Sequence, residues 1–438
     1  MRGRRAMAGN TEPEPEFFSS RWGVLFTALG MAIGTGDIWR FPPQVAANGG
    51  GAFLIPWMLF LFTWSIPLLI VEFGMGRAAR RGTVGAFARL FGARYAWMGG
   101  FVGFCSLAIM FYYTVVAGWC LKYLWAALRG GIWESGAEAH WTRFAQAGSW
   151  EPVFFQAAAM AIGCSILHRG VNRGLERANR VFIPVLFLLL AATVVRAVTL
   201  PGAGAGLAFL YRPEWGRLAD YEVWLAALSQ SAWSTGAGWG LILTIGVYLR
   251  REETVVGHSL ATGLGDNLAS LLAASAVLPT VFFRHTEPEA LALLGQGNTG
   301  LSFVVLPDIF REMQFGRACM VVFFLALCLA AVSSLIAMIE LGARILLDAG
   351  WTRGRAVWAV GAVGFLCGVP SALSPGFFAN QDWVWGLGLT VSGFLFAAAV
   401  GLHGARSFRE RHLHSPEERW RVGRWFDFLI VFLIPAQF

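Results

Sequence analysis

Two short runs of this 438-residue sequence combine glycines with residues able to bind a solute or an ion. Residues 30–42 read GMAIGTGDIWRFP, and residues 230–240 read QSAWSTGAGWG. Glycine is about 1 kcal/mol less favourable than alanine inside a helix, so each cluster predicts a break in the backbone. At such a break, free N–H groups attract an anion such as a carboxylate, and free carbonyl oxygens attract a cation. Glycines also serve close helix packing, so a single cluster would be weak evidence.

A third run supplies oxygen ligands for a cation. Residues 329–340 read LAAVSSLIAMIE, and the three and four residue spacing places Ala330, Ser333 and Ser334 on one face of a helix. One carbonyl and two hydroxyls on that face suit sodium. Further carbonyl oxygens for such an ion are available at Gly30, Ala32 and Ile33. The alternative is that both hydroxyls bond back to their own helix, as serines in membrane helices often do.

The elements that must position these runs are long apolar segments. The chain is 56% hydrophobic and 14% charged, whereas a soluble domain carries about 25% charge. A helix needs ~20 residues to cross ~30 Å of hydrocarbon. We therefore predict an all-α membrane protein with about eleven transmembrane helices, numbered 1 to 11: residues 22–44, 51–74, 98–127, 152–168, 179–199, 222–249, 256–283, 317–347, 355–370, 383–403 and 425–438.

The positive charge of the chain is a topology signal. Arginines crowd into alternate connections, before helix 1 and after helices 2, 4, 6, 8 and 10. The positive-inside rule then places the N-terminus in the cytoplasm and the protein in the plasma (inner) membrane, with residues 1–20 as a cytoplasmic tail and not a signal peptide. This pattern does not indicate nucleic-acid binding. Six cysteines without a CxxC motif and seven scattered histidines indicate neither a disulfide framework nor a metal site of those residues.

The two glycine clusters lie five helices apart, which is typical of a transporter built as an inverted repeat. We predict repeat 1 at residues 21–200, an extracellular loop at 201–221 and repeat 2 at 222–403, with helices 1 and 6 broken. Residues 404–438 form a cytoplasmic loop and the start of helix 11. That helix is too short to span a membrane. We expect either that it continues in the natural protein or that the sequence was cut short. Residues 302–315 predict a short external helical hairpin.

The run GMAIGTGDIWRFPPQVAANGGGAFLIPW, at residues 30–57, resembles helix 1 and the start of helix 2 of the neurotransmitter:sodium symporter family, and in particular its bacterial leucine-transporter-like members. FVVLPDIF before helix 8 and AAVSS within it are also similar to the family. The resemblance extends over nearly the whole chain from Arg21. It implies a sodium-coupled amino-acid symporter that works by alternating access, and no enzyme.

The resemblance implies a role for each matching position. One sodium site would use Gly30, Ile33, Ala330, Ser333 and Ser334. A second would use Ala32, Asp37, Ser234 and a helix 7 group near residues 265–267. The substrate would contact Ala32, Gly34, Thr35, Gly36, Ile109, Tyr113, Trp233, Ser234, Gly236, Trp239, Ser334 and Met338. Arg40 and Asp382 would form the outer gate. The alternative for Tyr113, Trp233 and Trp239 is structural packing, and Glu72 and Glu340 are interpreted as structural.

Asp37 departs from the family, which usually has asparagine there. The acidic group that replaces chloride in leucine-type members corresponds to Ala269 here, so we expect Asp37 to supply the balancing charge and chloride not to be required. Gly34 stands where monoamine carriers have aspartate, which favours an α-amino acid.

We expect one or two sodium ions and a hydrophobic or aromatic amino acid in this site, within the lipid bilayer. The alternatives are a proton-coupled transporter and a channel or sensor on the same fold.

Overall fold

The computed structural model describes residues 16–414, 418 and 420–438. Most of the predicted tail, residues 1–15, lies outside the described residues. Within the described part, seven helices are long and apolar enough to cross a membrane, or eight if a bent pair is counted as one span. The seven are helices 2, 3, 5, 7, 8, 9 and 10: Gly51–Ala79, Ala93–Arg129, Val171–Val198, Val255–Val281, Gly316–Asp348, Arg353–Leu373 and Pro375–Leu402.

The other four predicted helices are shorter or interrupted. Helix 4, Glu151–Leu167, has 17 residues, and helix 11 consists of short pieces from Arg424–Phe428 to Ile434–Gln437. Helices 1 and 6 are each interrupted. The halves of helix 1 are Arg21–Ala32 and residues 36–47, and those of helix 6 are Tyr221–Thr235 and Leu241–Gly246. The predicted all-α class with broken helices 1 and 6 is confirmed, while the 5+5 repeat and its boundaries stay predictions.

Glycine allows the break in helix 6. Gly236, Gly238 and Gly240 have φ values of +66°, +89° and +76°, a left-handed backbone that side chains with a Cβ rarely adopt. The break in helix 1 follows Ile33, whose ψ of 91° is extended. A Cβ built on Gly236 would lie 2.8 Å from Met31 Sδ. The two breaks therefore face each other at close range.

Packing places the broken helices at the centre of the bundle. The inner half of helix 1 contacts helices 5, 7 and 8, and helix 8 packs along helix 3. In the most apolar part of helix 8, 72% of the residues are buried, against 22% in helix 5. Helix 5 thus presents most of its surface to lipid, whereas helices 3 and 8 form walls around the breaks.

The end of the bundle beside the second half of helix 1 is covered by a helical hairpin that is longer than predicted. Glu287–Leu294 and Gly297–Glu312 meet at a bend of 111°. The ring of Phe303 in this hairpin lies 6.5 Å from that of Trp39 in helix 1. The segment predicted as a loop at residues 201–221 is also largely helical, with Ala203–Tyr211 and Trp215–Ala219. The hairpin thus closes over the outer half of helix 1.

Candidate substrate and sodium sites

The break in helix 1 redirects two backbone N–H groups. Gly34 N donates to Asp37 Oδ2 at 2.9 Å, and Thr35 N donates to Tyr113 Oη at 3.2 Å. In an unbroken helix these donors would bond the carbonyls of Gly30 and Met31, four residues earlier. Those two carbonyl oxygens are therefore released from the helix ladder.

Ser334 of helix 8 contacts both released carbonyls. Its hydroxyl lies 3.4 Å from Gly30 O and 3.3 Å from Met31 O. Ser333 behaves differently, because its hydroxyl donates back to Ala330 O at 2.9 Å. The structure thus brings Gly30 and Ser334 together as the resemblance implied, with Ile33 at the end of the same half-helix. The back-bonding alternative holds for Ser333 and not for Ser334.

Asp37 and Asp266 form a pair of buried carboxylates beside the break. Both residues have 0% exposure, and they lie close enough for their charges to interact. Asp37 Oδ1 accepts a hydrogen bond from Ser270 Oγ at 2.5 Å. Neither oxygen of Asp266 nor the hydroxyl of Ser234 makes a well-oriented hydrogen bond among the described residues, although the Ser234 hydroxyl lies near the Asp266 carboxylate. A buried carboxylate without a partner is costly, so this cluster suits a cation.

Asp266 is the residue of the predicted range 265–267 that interacts with Asp37. Ser270, next to the expected chloride-replacing position Ala269, contacts Asp37, and the assignment of Ala269 stays a prediction. Sequence reasoning named the range without choosing Asp266, because Asp266 and Asn267 are adjacent and both could supply an oxygen ligand. The four-residue spacing between Asp266 and Ser270 on one helical face was the available signal.

One cavity lies between the breaks and the walls of helices 3 and 8. Its volume is about 60 Å³. Eleven of the twelve predicted substrate residues line it: Ala32, Gly34, Thr35, Gly36, Tyr113, Trp233, Ser234, Gly236, Trp239, Ser334 and Met338. The twelfth, Ile109, is fully buried and does not line it. The lining residues that were not predicted include Met31, Trp39, Tyr112, Val116, Leu241 and Asn298.

Two tryptophans of helix 6 form an aromatic wall of the cavity. The rings of Trp233 and Trp239 are 5.3 Å apart and nearly perpendicular, at 81°. The indole N–H of Trp239 donates to Ala232 O at 3.3 Å, and the Ser106 hydroxyl donates to Trp239 O at 2.5 Å. A Cβ on Gly36 would meet no atom within 4 Å. The wall is therefore fixed by hydrogen bonds and faces open space beside helix 1.

The predicted gate residues lie at the same end of this cavity without direct pairing. Arg40 and Asp382 both line it, but no ion pair within 4.0 Å joins them among the described residues. The Arg40 guanidinium instead lies 4.8 Å from the ring centre of Trp233. The gate remains a prediction, and its two charges are placed to approach each other across the cavity mouth.

Replacing Asp382 with asparagine is expected to slow transport while changing equilibrium substrate affinity by less than about fivefold. The reason is that a partly exposed ion pair contributes only ~0–1 kcal/mol, so its effect would be on the rate of closure. Asp220→Asn is the matched control, because Asp220 pairs with Arg217 at 2.7 Å away from the cavity. Uptake rates and binding isotherms would be compared, and a parallel loss of both quantities would refute this role.

Glu72 of helix 2 stabilises the break in helix 6. Its two carboxylate oxygens accept hydrogen bonds from Gly238 N at 2.6 Å and Leu243 N at 3.2 Å. These N–H groups belong to the unwound segment and to the start of the second half of helix 6. The structural interpretation of Glu72 therefore has a physical basis. Glu340 has a similar structural role, because it pairs with Arg353 at 2.8 Å.

Glu72→Gln is expected to destabilise the folded protein by about 1–3 kcal/mol, because an amide NH₂ would replace an acceptor facing a buried N–H donor. The apparent unfolding temperature in detergent should fall. Glu222→Gln, on the exposed start of helix 6, is the control and should leave it unchanged. Equal unfolding temperatures for all three proteins would show that Glu72 does not support the break.

Comparisons with known proteins agree with this architecture. A sequence model of the sodium:neurotransmitter symporter family matches residues 15–147 and 144–435. An uncharacterised sodium-dependent transporter of Methanocaldococcus jannaschii is 30% identical over 432 residues, which cover 95% of this chain and 87% of that protein. Another, from Bacillus subtilis, is 32% identical over 376 residues, covering 84% and 81%.

Among solved structures, the crystal structure of MhsT in complex with L-phenylalanine superposes with a TM-score of 0.86 and 31% identity, covering 96% of this chain and 98% of MhsT. This is a multi-pass membrane transporter and not an enzyme, and the chain belongs to the sodium:neurotransmitter symporter family.

Proposed function

We propose that this protein carries a hydrophobic or aromatic amino acid across the plasma membrane together with sodium, by alternating access. The observation that carries the proposal is the meeting of two broken helices at one cavity. On one side of that cavity lie donors for a carboxylate, and beside it lie released carbonyls and buried carboxylates for cations. Sodium and substrate together would stabilise the closed state, which couples their movements.

The substrate carboxylate would bind at the start of the outer half of helix 1. Thr35 N donates to Tyr113 Oη at 3.2 Å, and both residues line the cavity. A carboxylate that replaces Tyr113 Oη as the acceptor would receive the Thr35 N–H and the Tyr113 O–H. The positive end of the half-helix adds to the attraction. The amine would face carbonyl oxygens of Ala32 and of the first half of helix 6, around Trp233 and Ser234.

The substrate side chain would lie against the aromatic wall. Trp233, Trp239, Val116 and Met338 surround the remaining space with apolar groups. Burial of apolar surface contributes about 25 cal/mol per Å², so an amino acid with a large apolar side chain gains most there. The likeness to MhsT, whose structure holds L-phenylalanine, supports this substrate class.

One or two sodium ions would bind beside the substrate, without chloride. The first would lie between helix 8 and the inner half of helix 1, with ligands at Gly30, Ile33, Ala330, Ser333 and Ser334. The second would lie among Ala32, Asp37, Ser234 and Asp266. Because two fixed carboxylates already face this second position, a chloride ion has no charge left to balance.

The N-terminus is proposed to lie in the cytoplasm. Arginines of the connections after helices 2, 6 and 8 meet at one end of the bundle, around a shared cavity with Arg80, Arg250 and Arg353 on its wall. The cavity between the breaks opens toward the opposite end, beneath the hairpin. The positive-inside rule makes the arginine-rich end cytoplasmic.

A thermal-shift screen of the twenty amino acids in sodium and in choline buffer tests this function. Leucine, methionine, phenylalanine or tryptophan should stabilise the protein in sodium only. Stabilisation by glycine, alanine or a charged amino acid instead would refute the substrate class. Equal stabilisation in choline would favour proton coupling, and flux through liposomes without saturation would favour a channel.

A further inference from the structure

A second and larger cavity lies at the arginine-rich end of the bundle. Its volume is about 1170 Å³. The wall comes from the segment before helix 1, the end of helix 2, and the connections from helix 6 to 7 and from 8 to 9. None of its lining residues lines the substrate cavity. It is therefore a separate space, and the proposed function does not account for it.

Five guanidinium groups line this cavity, and two of them are neutralised by carboxylates. Arg344 pairs with Asp348 at 2.5 Å. Arg353 pairs with Glu340 at 2.8 Å and with Glu16 at 3.0 Å. These two arginines belong to a structural network, and carboxylates already compensate their positive charges.

The other three arginines make no contact with a carboxylate in the described part of the chain. Arg80 donates to two backbone carbonyls of the connection from helix 6 to 7. Arg250 donates from Nε to Phe18 O at 3.2 Å. Arg251 is exposed, and no hydrogen bond or ion pair of its side chain is seen among the described residues. Carbonyl oxygens are neutral, so all three positive charges remain uncompensated by direct contact.

The pKa of Arg80 also reflects the excess of positive charge at this cavity. Burial and the positive charges of Arg251 and Arg77 lower the pKa of Arg80 to about 10, whereas a free guanidinium titrates above 12. Glu252 lies on the same wall and offsets part of this repulsion. Three guanidiniums thus face a single unpaired carboxylate.

From this geometry we propose that the cavity binds a phosphate group, held by Arg80, Arg250 and Arg251. A guanidinium donates two parallel N–H bonds to phosphate oxygens, and it is favoured over lysine at such sites. A phosphate monoester carries about −1.5 to −2 charges, which matches three guanidiniums opposed by one carboxylate.

The phosphate could come from a soluble compound or from a lipid headgroup. Trp351 lies at the cavity edge with 46% of its surface exposed, and tryptophan is enriched where a membrane meets water. In both cases the ligand would connect the end of helix 2 to the connection from helix 6 to 7. It would then stabilise the conformation in which these elements are close together.

The test compares the unchanged protein with the R250Q/R251Q double variant and with an R169Q/R173Q control, whose exposed arginines lie outside the cavity. In detergent, the unfolding temperature is measured against sodium pyrophosphate, with sodium gluconate at equal ionic strength as the reference. In nanodiscs, it is measured in phosphatidylcholine with and without phosphatidylglycerol. R251Q alone serves as the second variant, because that side chain has no contact to lose within the described chain.

Stabilisation by pyrophosphate, with at least a tenfold weaker response in the double variant and an unchanged response in the control, supports a soluble phosphate ligand. Stabilisation by phosphatidylglycerol alone, lost in the same variants, supports a lipid headgroup. The proposal is overturned if neither phosphate source stabilises the protein beyond its reference, or if R250Q/R251Q and R251Q respond as the unchanged protein does. These readouts need no amino-acid substrate, so their failure leaves the proposed transport function standing.

Discussion

Replacing Ser334 with alanine is expected to weaken apparent sodium affinity by about ten- to a hundredfold. The Ser334 hydroxyl lies against the carbonyls of Gly30 and Met31, which the helix break releases. In the variant, an ion at this position would lose one oxygen ligand. The lost interaction is comparable to a hydrogen bond to a charged group, which contributes about 1.5–3 kcal/mol. Sodium titration of substrate binding, at constant ionic strength with choline, measures the change.

Ser259→Ala is the matched control for this variant. Ser259 is a buried serine of helix 7 whose hydroxyl donates back to Val255 O at 2.9 Å, so its loss removes a hydroxyl without touching helix 1. Its sodium titration should match that of the unchanged protein. If S334A and S259A both titrate like the unchanged protein, Ser334 is no sodium ligand.

Neutralising both buried carboxylates is expected to create a chloride requirement. At an effective dielectric of ~20, opposite unit charges ~4 Å apart attract by about 4 kcal/mol. In gluconate medium, D37N/D266N should therefore bind sodium at least a hundredfold more weakly, and chloride should restore part of the affinity. The single variants Asp37→Asn and Asp266→Asn each keep one carboxylate beside the site, so both should stay independent of chloride.

The control for this series is Asp308→Asn, because Asp308 is a partly exposed carboxylate of the external hairpin away from the ion site. Sodium titrations in chloride and in gluconate would be run on all five proteins. A requirement for chloride in the unchanged protein contradicts the account of Asp37 and Asp266. So does a double variant that binds sodium equally well in both media.

The breaks in helices 1 and 6 were predictable because glycine has a specific backbone consequence. Gly236, Gly238 and Gly240 all adopt positive φ, and a cluster of glycines in an apolar segment indicates such a conformation without any tertiary information. The contact of the released Gly30 carbonyl with Ser334 was implied by the resemblance to the family, whereas the residue spacing predicted only that Ser334 shares a face with Ala330 and Ser333.

The rotational position of helix 7 was harder to predict. Most residues around Asp266 are apolar or small, and in a membrane bundle the lipid-facing side is as apolar as the core. Hydrophobic periodicity therefore did not show which helix 7 side chains face Asp37, and the three-dimensional contact of Ser270 with Asp37 does so. On helix 3, Val116 lines the cavity one turn beyond Tyr113, whereas Ile109 is buried away from it.

The geometry of the gate depends on side-chain direction, which sequence spacing does not determine. Arg40 and Asp382 reach the same cavity mouth as their positions near the outer ends of helices 1 and 10 suggest. The Arg40 guanidinium nevertheless lies over the Trp233 ring, since an arginine can rest on an aromatic face as well as pair with a carboxylate.

Uptake into proteoliposomes tests the central claim most directly. The purified protein would be reconstituted, and accumulation of a radiolabelled amino acid chosen by the thermal-shift screen would be followed with sodium only outside. The account predicts saturable accumulation above the external concentration, abolished when sodium is equal on both sides or replaced by choline. Accumulation that persists without a sodium gradient would contradict sodium-coupled symport.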